Sequence, residues 1–189
     1  MIFLRFIMVF LTILSFQPKG FGSAIEPYVS YHLQHHPEAA LNYLKTLEKM
    51  DHPEGVFLLG CLYLQGGVVT PDIPKANFYF YKAGHLGYAP AFKALADSYL
   101  AGDGVKKDPM MALYYYERSA IRGYGPGQFN AGALLKEGQN VTSNQTQAFY
   151  WLNQAAHNPD LGDLRKDAAN LRNEIKVNDP IKLQKGVRR

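Results

Sequence analysis

His32, His35 and His36 form the densest group of potential metal ligands in the chain, spaced so that one helix face could present all three. Two imidazoles at i and i+4 can grip a metal ion, but a site normally needs three or four ligands. No carboxylate or cysteine falls in phase with them, so the expectation is a solvated face and no metal. Cys61 is the only cysteine, which excludes an intramolecular disulfide. A reactive thiolate needs an electropositive, partly open setting. The neighbours Phe57, Leu58 and Leu62 are apolar, so Cys61 reads as a small core filler.

Other catalytic chemistry finds no footing. The sequence has no S-x-x-K, K-T-G, G-x-S-x-G or H-E-x-x-H motif. Gly125-Pro126-Gly127 lacks the Lys-Ser/Thr that a phosphate-cradling loop needs, and reads as a turn. The chain is therefore read as a non-enzyme with no cofactor. Asn140 and Asn144 each open an Asn-x-Thr acceptor pattern, which matters only in a eukaryotic secretory pathway. Three aromatic runs (Tyr79 to Tyr81, Tyr114 to Tyr116, Tyr150-Trp151) would suit stacking on a ligand, yet their even spacing points to core packing. Tyr81 and Tyr114, at the rims, are the exceptions.

That spacing belongs to a repeat of 36 residues. Tyr63, Tyr99 and Leu135 are in phase, as are Gly66, Gly102 and Gly138. Asp72, Asp108 and Asn144 follow, then Ala76, Ala112 and Ala148, then Tyr79, Tyr115 and Trp151. Three copies without net insertion indicate one supersecondary unit stacked on itself, with a continuous core between neighbours.

Within the second copy, Ala91, Leu95, Ala96 and Tyr99 make one helical stripe. Gly102-Asp103-Gly104 breaks that helix. Asp108 followed by Pro109 is an N-cap and a first-turn proline, so a second helix is expected over 109–122. Its buried stripe is Ala112, Tyr115, Tyr116, Ser119 and Ala120, and Gly123 closes it. Small residues at Gly60, Ala96 and Gly132 face others at Ala76, Ala112 and Ala148, so each copy is an antiparallel helix pair. Ala40, Tyr43 and Leu47 extend the phase backwards and predict a capping half-repeat with a helix over 37–50. A closing helix is expected over 161–175.

The order small-x-x-x-Leu-Gly-x-x-Tyr, Gly-x-Gly-Val, Asp, Lys-Ala, an aromatic pair and Lys-Ala-Ala resembles the Sel-1-like repeat, a relative of the tetratricopeptide repeat. Gly55, Leu59, Gly60, Tyr63, Gly66, Asp72, Lys75, Ala76, Tyr79, Lys82 and Ala83 carry it in the first copy. The resemblance implies an all-α, right-handed α-solenoid of stacked antiparallel helix pairs. The expected divisions are a signal segment 1–24, an N-terminal cap 25–53, repeats 54–88, 89–124 and 125–159, a closing helix 160–176, and a basic tail 177–189.

Both ends are basic. The whole chain carries +4, but Arg5 and Lys19 lie in the first segment, and five Lys/Arg face one Asp over 176–189. Residues 25–175 are thus slightly acidic at −2, which argues against nucleic acid as a partner. Met1 to Ala24 has an uncharged apolar run of 11 residues, 6–16, before Gly22-Ser23-Ala24. A run that short does not span a bilayer, and small residues behind it fit a cleaved export signal. The expected destination is the cell envelope or the outside of the cell.

By the resemblance, the first helices line a concave surface that holds a protein or peptide partner. On a helical wheel, Phe57, Leu58 and Cys61, then Lys93, Ala94 and Asp97, then Phe129, Asn130 and Ala133 lie opposite the buried stripe. Phe57, Leu58, Phe129 and Asn130 are expected at the binding face, with Phe57 and Phe129 as exposed anchors. Lys93 and Asp97 lie between them, outside the core. The molecule is expected to be a monomer. Two other readings come with the resemblance. Cysteine-rich exported members of the family are linked to β-lactam or peptidoglycan-fragment binding and hydrolysis, and pin each repeat with a disulfide. Others are lumenal adaptors in eukaryotic protein quality control.

Overall fold

The computed structural model describes residues 25–138, 141 and 143–175. The proposed signal segment, Asn140 and the tail from residue 176 lie outside the described residues. Every regular element among the described residues is helical: α1 (Ile25–His35), α2 (Pro37–Lys49), α3 (Pro53–Gln65), α4 (Ile73–His85), α5 (Ala89–Ala101), α6 (Pro109–Ile121), α7 (Gly125–Glu137), α8 (Gln145–His157) and α9 (Leu164–Asn173). A short 3-10 turn, Pro159–Leu161, precedes α9. Helices α3/α4, α5/α6 and α7/α8 are the three repeated pairs, each packed on the next.

Local chemistry sets where the second helices start. Asp72 Oδ1 accepts from the Lys75 N–H at 3.0 Å, and Asp108 Oδ1 from Met110 and Met111 at 3.0 and 3.1 Å. Asn144 Oδ1 accepts from Gln147 at 3.1 Å. Each bond satisfies an N–H that the helix itself leaves orphaned. The backbone N–H of the same three residues donates to Tyr63, Tyr99 and Leu135 carbonyls at 2.7, 2.8 and 3.2 Å. One repeated bond thus ties the start of each second helix to the first helix before it. At the far end, Tyr124 N–H reaches the Ser119 carbonyl and Gly123 N–H reaches Ala120, with Gly123 at φ +81°. That is the left-handed closure expected of this glycine. Helix α6 ends at Ile121, one residue before the predicted limit.

Close approach explains the small residues. A Cβ on Gly60 would sit 2.8 Å from Phe80, and one on Gly132 2.7 Å from Leu152. Ala76, Ala112 and Ala148 are fully buried opposite. One apolar cluster runs from Cys61 and Phe80 through Phe92, Tyr115 and Leu135 to Trp151 and Ile175. A second, of Val29, Leu41, Leu44, Leu47, Leu59 and Leu62, joins the N-terminal helices to the first repeat.

The ends depart from expectation. The predicted half-repeat at 37–50 is preceded by a second helix, α1, so the N-terminal unit is a helix pair. A single residue, His36, joins α1 to α2, where the repeats use a loop of seven between first and second helix (66–72). The closing helix is shorter than 161–175, because Gly162 at φ +57° interrupts it before Leu164.

Candidate inner-face binding strip

First helices of neighbouring pairs meet at two steps, α1 on α3 and α5 on α7, while among the described residues no two second helices of neighbouring pairs make comparable contact. The array therefore curves with its first helices inside. Along that inner side, Phe57, Leu58, Lys93, Ala94, Asp97, Phe129, Asn130 and Ala133 are all half-buried, and Cys61 is buried.

Two expectations need correcting here. Phe57 and Phe129 are not exposed anchors. The Phe57 ring lies 5.5 Å from Phe80 and 5.0 Å from Tyr88, and Phe129 packs on the central and C-terminal clusters. A helical wheel sees one helix; here residues from neighbouring elements pack on one side of each ring and leave it half-buried. Nor is Asp97 free of the core. Its Oδ2 pairs with Lys93 Nζ at 2.7 Å, and its Oδ1 accepts from the buried Tyr116 hydroxyl at 2.6 Å. Removing that carboxylate would leave a buried phenol unpaired, at a cost of about 1–3 kcal/mol.

Three tyrosines border the strip: Tyr116, expected in the core, and Tyr88 and Tyr124, which the sequence had not singled out. Burial pushes all three phenols up, with the negative charge of Glu54 next for Tyr88 and of Asp97 next for Tyr116. Tyr124 is pushed up to about 12 by burial, then by Asp97 and Asp160. They remain neutral hydrogen-bond donors at any physiological pH. A signal was available for two of them, since Tyr88 and Tyr124 stand 36 apart, each just before a first helix.

The remaining candidates carry less chemistry. Burial pushes the Cys61 thiol up to about 12, the opposite of what a nucleophile requires. The His32 and His36 rings are 5.8 Å apart, but His35 turns away to stack on Tyr31 at 4.6 Å. No group of three or more His, Cys, Asp and Glu able to hold a metal occurs among the described residues. Asn144 spends its amide within its own helix start, with Nδ2 donating to Gln147 Oε1 at 2.9 Å. Tyr81 and Tyr114 are exposed, at 47% and 46%, on the outer side. No helix among the described residues is long and apolar enough to cross a membrane.

Stacked helix pairs of constant phase, with a lined inner face, define an α-solenoid of the repeat-scaffold class. The Sel1 repeat model matches residues 53–88, 94–124 and 125–160, and the chain belongs to the Sel1 repeat family. No curated protein matches it significantly. Among solved structures, a Sel1 repeat protein from Oxalobacter formigenes is 27% identical over 80% of this chain and 62% of its own, with a TM-score of 0.68. The c5321 protective antigen of uropathogenic Escherichia coli, with an SLR fold, is 31% identical over 61% of this chain, with a TM-score of 0.58. This chain spans only 25% of that antigen. Helicobacter pylori cysteine rich protein B shares the fold at 22% identity, covering 80% of this chain and 99% of its own, TM-score 0.53. Sel1 repeats generally serve as protein-interaction scaffolds.

Proposed function

We propose that this protein is a non-catalytic, monomeric adaptor, exported to the cell envelope or secreted, which holds a protein or peptide on its inner face. The observation that carries the reading is the strip of half-buried side chains continuing across three first helices. It offers apolar surface at Phe57, Leu58 and Phe129, with the Lys93–Asp97 pair and Asn130 as polar contacts. Mixed apolar and polar surface of this kind suits an extended peptide, whose backbone needs hydrogen-bond partners as well as burial.

The test is capture from the native envelope fraction with wild-type protein and with Lys93→Glu and Asn130→Ala. Asn130 is half-exposed, and Lys93→Glu trades the Asp97 pair for a like charge at about 0.5–1 kcal/mol, so both variants stay folded while retention of the captured polypeptide falls about tenfold or more. Full retention by both variants would move the site off the inner face.

Export rests on the apolar run and on Gly22-Ser23-Ala24. Cleavage after Ala24 leaves every described helix intact. N-terminal sequencing of protein from the envelope should read from Ile25; a chain retaining Met1 would overturn cleavage. The cysteine-rich enzyme reading gains no support from a single buried cysteine.

A further inference from the structure

On the outer side, second helices of neighbouring pairs do not pack closely, and side chains of α4 and α6 close over the buried ring of Phe92. Helix α6 carries Tyr114, Arg118 and Arg122, one turn apart; α4 carries Tyr81 and His85. Arg122 Cζ lies 4.8 Å and Arg118 Cζ 5.8 Å from the Phe92 ring centroid, and Arg118 also lies 5.7 Å from the Tyr114 ring. His85 stacks on Tyr81 at 4.0 Å and meets Phe92 edge-on at 5.3 Å. Two cations thus share one aromatic floor. Neither appears in any ion pair among the described residues. Among the described residues Arg118 donates no side-chain hydrogen bond, and its buried Nε has no partner. Arg122 uses one N–H, to the Arg118 carbonyl at 3.0 Å. Burial, then the neighbouring Arg118, holds the Arg122 guanidinium below its ordinary value.

The repeat itself shows what is missing. The position equivalent to Arg118 in the preceding copy is Lys82, which pairs with Glu48 at 2.8 Å and Asp51 at 2.9 Å. Thirty-six residues on, those two carboxylates are replaced by Gly84 and Gly87. Repeat 1 therefore neutralises its cation within the chain, and repeat 2 leaves a doubled cation without an acid. The ends of the chain cannot supply one readily: residues 1–24 and 176–189 hold seven Lys/Arg and one acidic side chain, Asp179. The C-termini of α4 and α6 near these arginines oppose an anion, but each is equivalent to roughly half a negative charge against two full positive ones.

We propose that the α4–α6 surface over Phe92 is a second binding site, where Arg118 and Arg122 take a carboxylate from an acidic segment of a partner polypeptide. Tyr81 and Tyr114 flank it as stacking surfaces for the adjoining residues. Arginine suits the role because its planar fork pairs with a carboxylate through two parallel bonds and gives up its water more easily than lysine. The site is separate from the inner face and does not depend on it.

Titration of fluorescein-labelled hexaglutamate, followed by anisotropy, tests the proposal on the full chain. Arg118→Gln/Arg122→Gln should weaken binding about tenfold or more, a loss of roughly 1.4 kcal/mol, and Arg122→Gln alone, at an exposed position, should weaken it about threefold, a smaller share of the same energy. Gly87→Asp restores the missing acid. A Cβ there meets nothing within 4 Å, but Gly87 lies at φ +102° against +51° at the equivalent Asp51, so any side chain there strains the backbone. It should abolish hexaglutamate binding, while Gly87→Asn, with the same backbone demand and no charge, should retain it. Lys93→Glu and Asn130→Ala should leave hexaglutamate binding unchanged, which separates this site from the inner face. Equal affinity in wild type and the double Gln variant would overturn the proposal. So would full retention by Arg118→Lys/Arg122→Lys, which would mean charge attraction alone. Binding of inorganic phosphate without hexaglutamate would replace it with a free-anion site.

Discussion

A chain ending at Gly123 is expected to lose far more helix than the three helices it lacks. Helices α7, α8 and α9 contribute about a third of the helical residues described. Their removal strips the cover from α6, where Tyr116, Ser119 and Ala120 are buried. The joint is close: a Cβ on Gly127 would sit 2.6 Å from Ser119 Oγ. It is also clasped from the far side, since Asn158 Nδ2 donates to the Gly123 carbonyl at 2.7 Å and to Gln128 Oε1 at 2.9 Å. In a linear array each unit is stabilised mainly by its neighbours, so the new end repeat should fray and pass the loss inward. Circular dichroism should show well under two thirds of the full-length signal, with a broad melt. A fragment that kept two thirds and melted sharply would show that the repeats are independent.

The interior was legible because its signals are local and recur. Asp72, Asp108 and Asn144 cap helices through bonds spanning two or three residues, so sequence alone places them. Gly60 and Gly132 mark contacts that any side chain would block. Helix α1 escaped because it breaks phase: the 36-residue register would start a first helix near position 17, whereas a link shorter by six residues and a helix shorter by two place it at Ile25. Only Val29 of α1 is buried, so its own periodicity is faint.

The sites were harder to read than the fold. Phe57 and Phe129 look exposed on one helix but are half-buried by packing against neighbouring elements. Asp97 resembles a surface carboxylate until Tyr116, 19 residues away, reaches it. The Arg118–Arg122 pair vanishes in a slightly acidic body charge. It becomes visible only when α4 and α6 frame one ring between them.

That ring gives the largest single-residue effect expected. Phe92 is fully buried, stacked 5.9 Å from Tyr115, with the Gly84 backbone so close that a Cβ there would lie 2.6 Å from it. It is the plug between the first and second repeats. Phe92→Ala should cost about 3–5 kcal/mol, the usual range for a buried phenylalanine whose cavity cannot collapse. In a chain of this size that lowers the melting temperature by about 10 °C or more. Phe92→Leu, which keeps most of the volume, should fall between. Phe78→Ala, at a ring 59% exposed on the neighbouring helix α4, should stay within about 0.5 kcal/mol of wild type. Because stability propagates between neighbours, amide exchange in Phe92→Ala should accelerate first around α4 and α5, and least in α8. Equal acceleration throughout would mean that the molecule unfolds as one unit. A wild-type melting temperature for Phe92→Ala would mean that the joint between these repeats is held elsewhere.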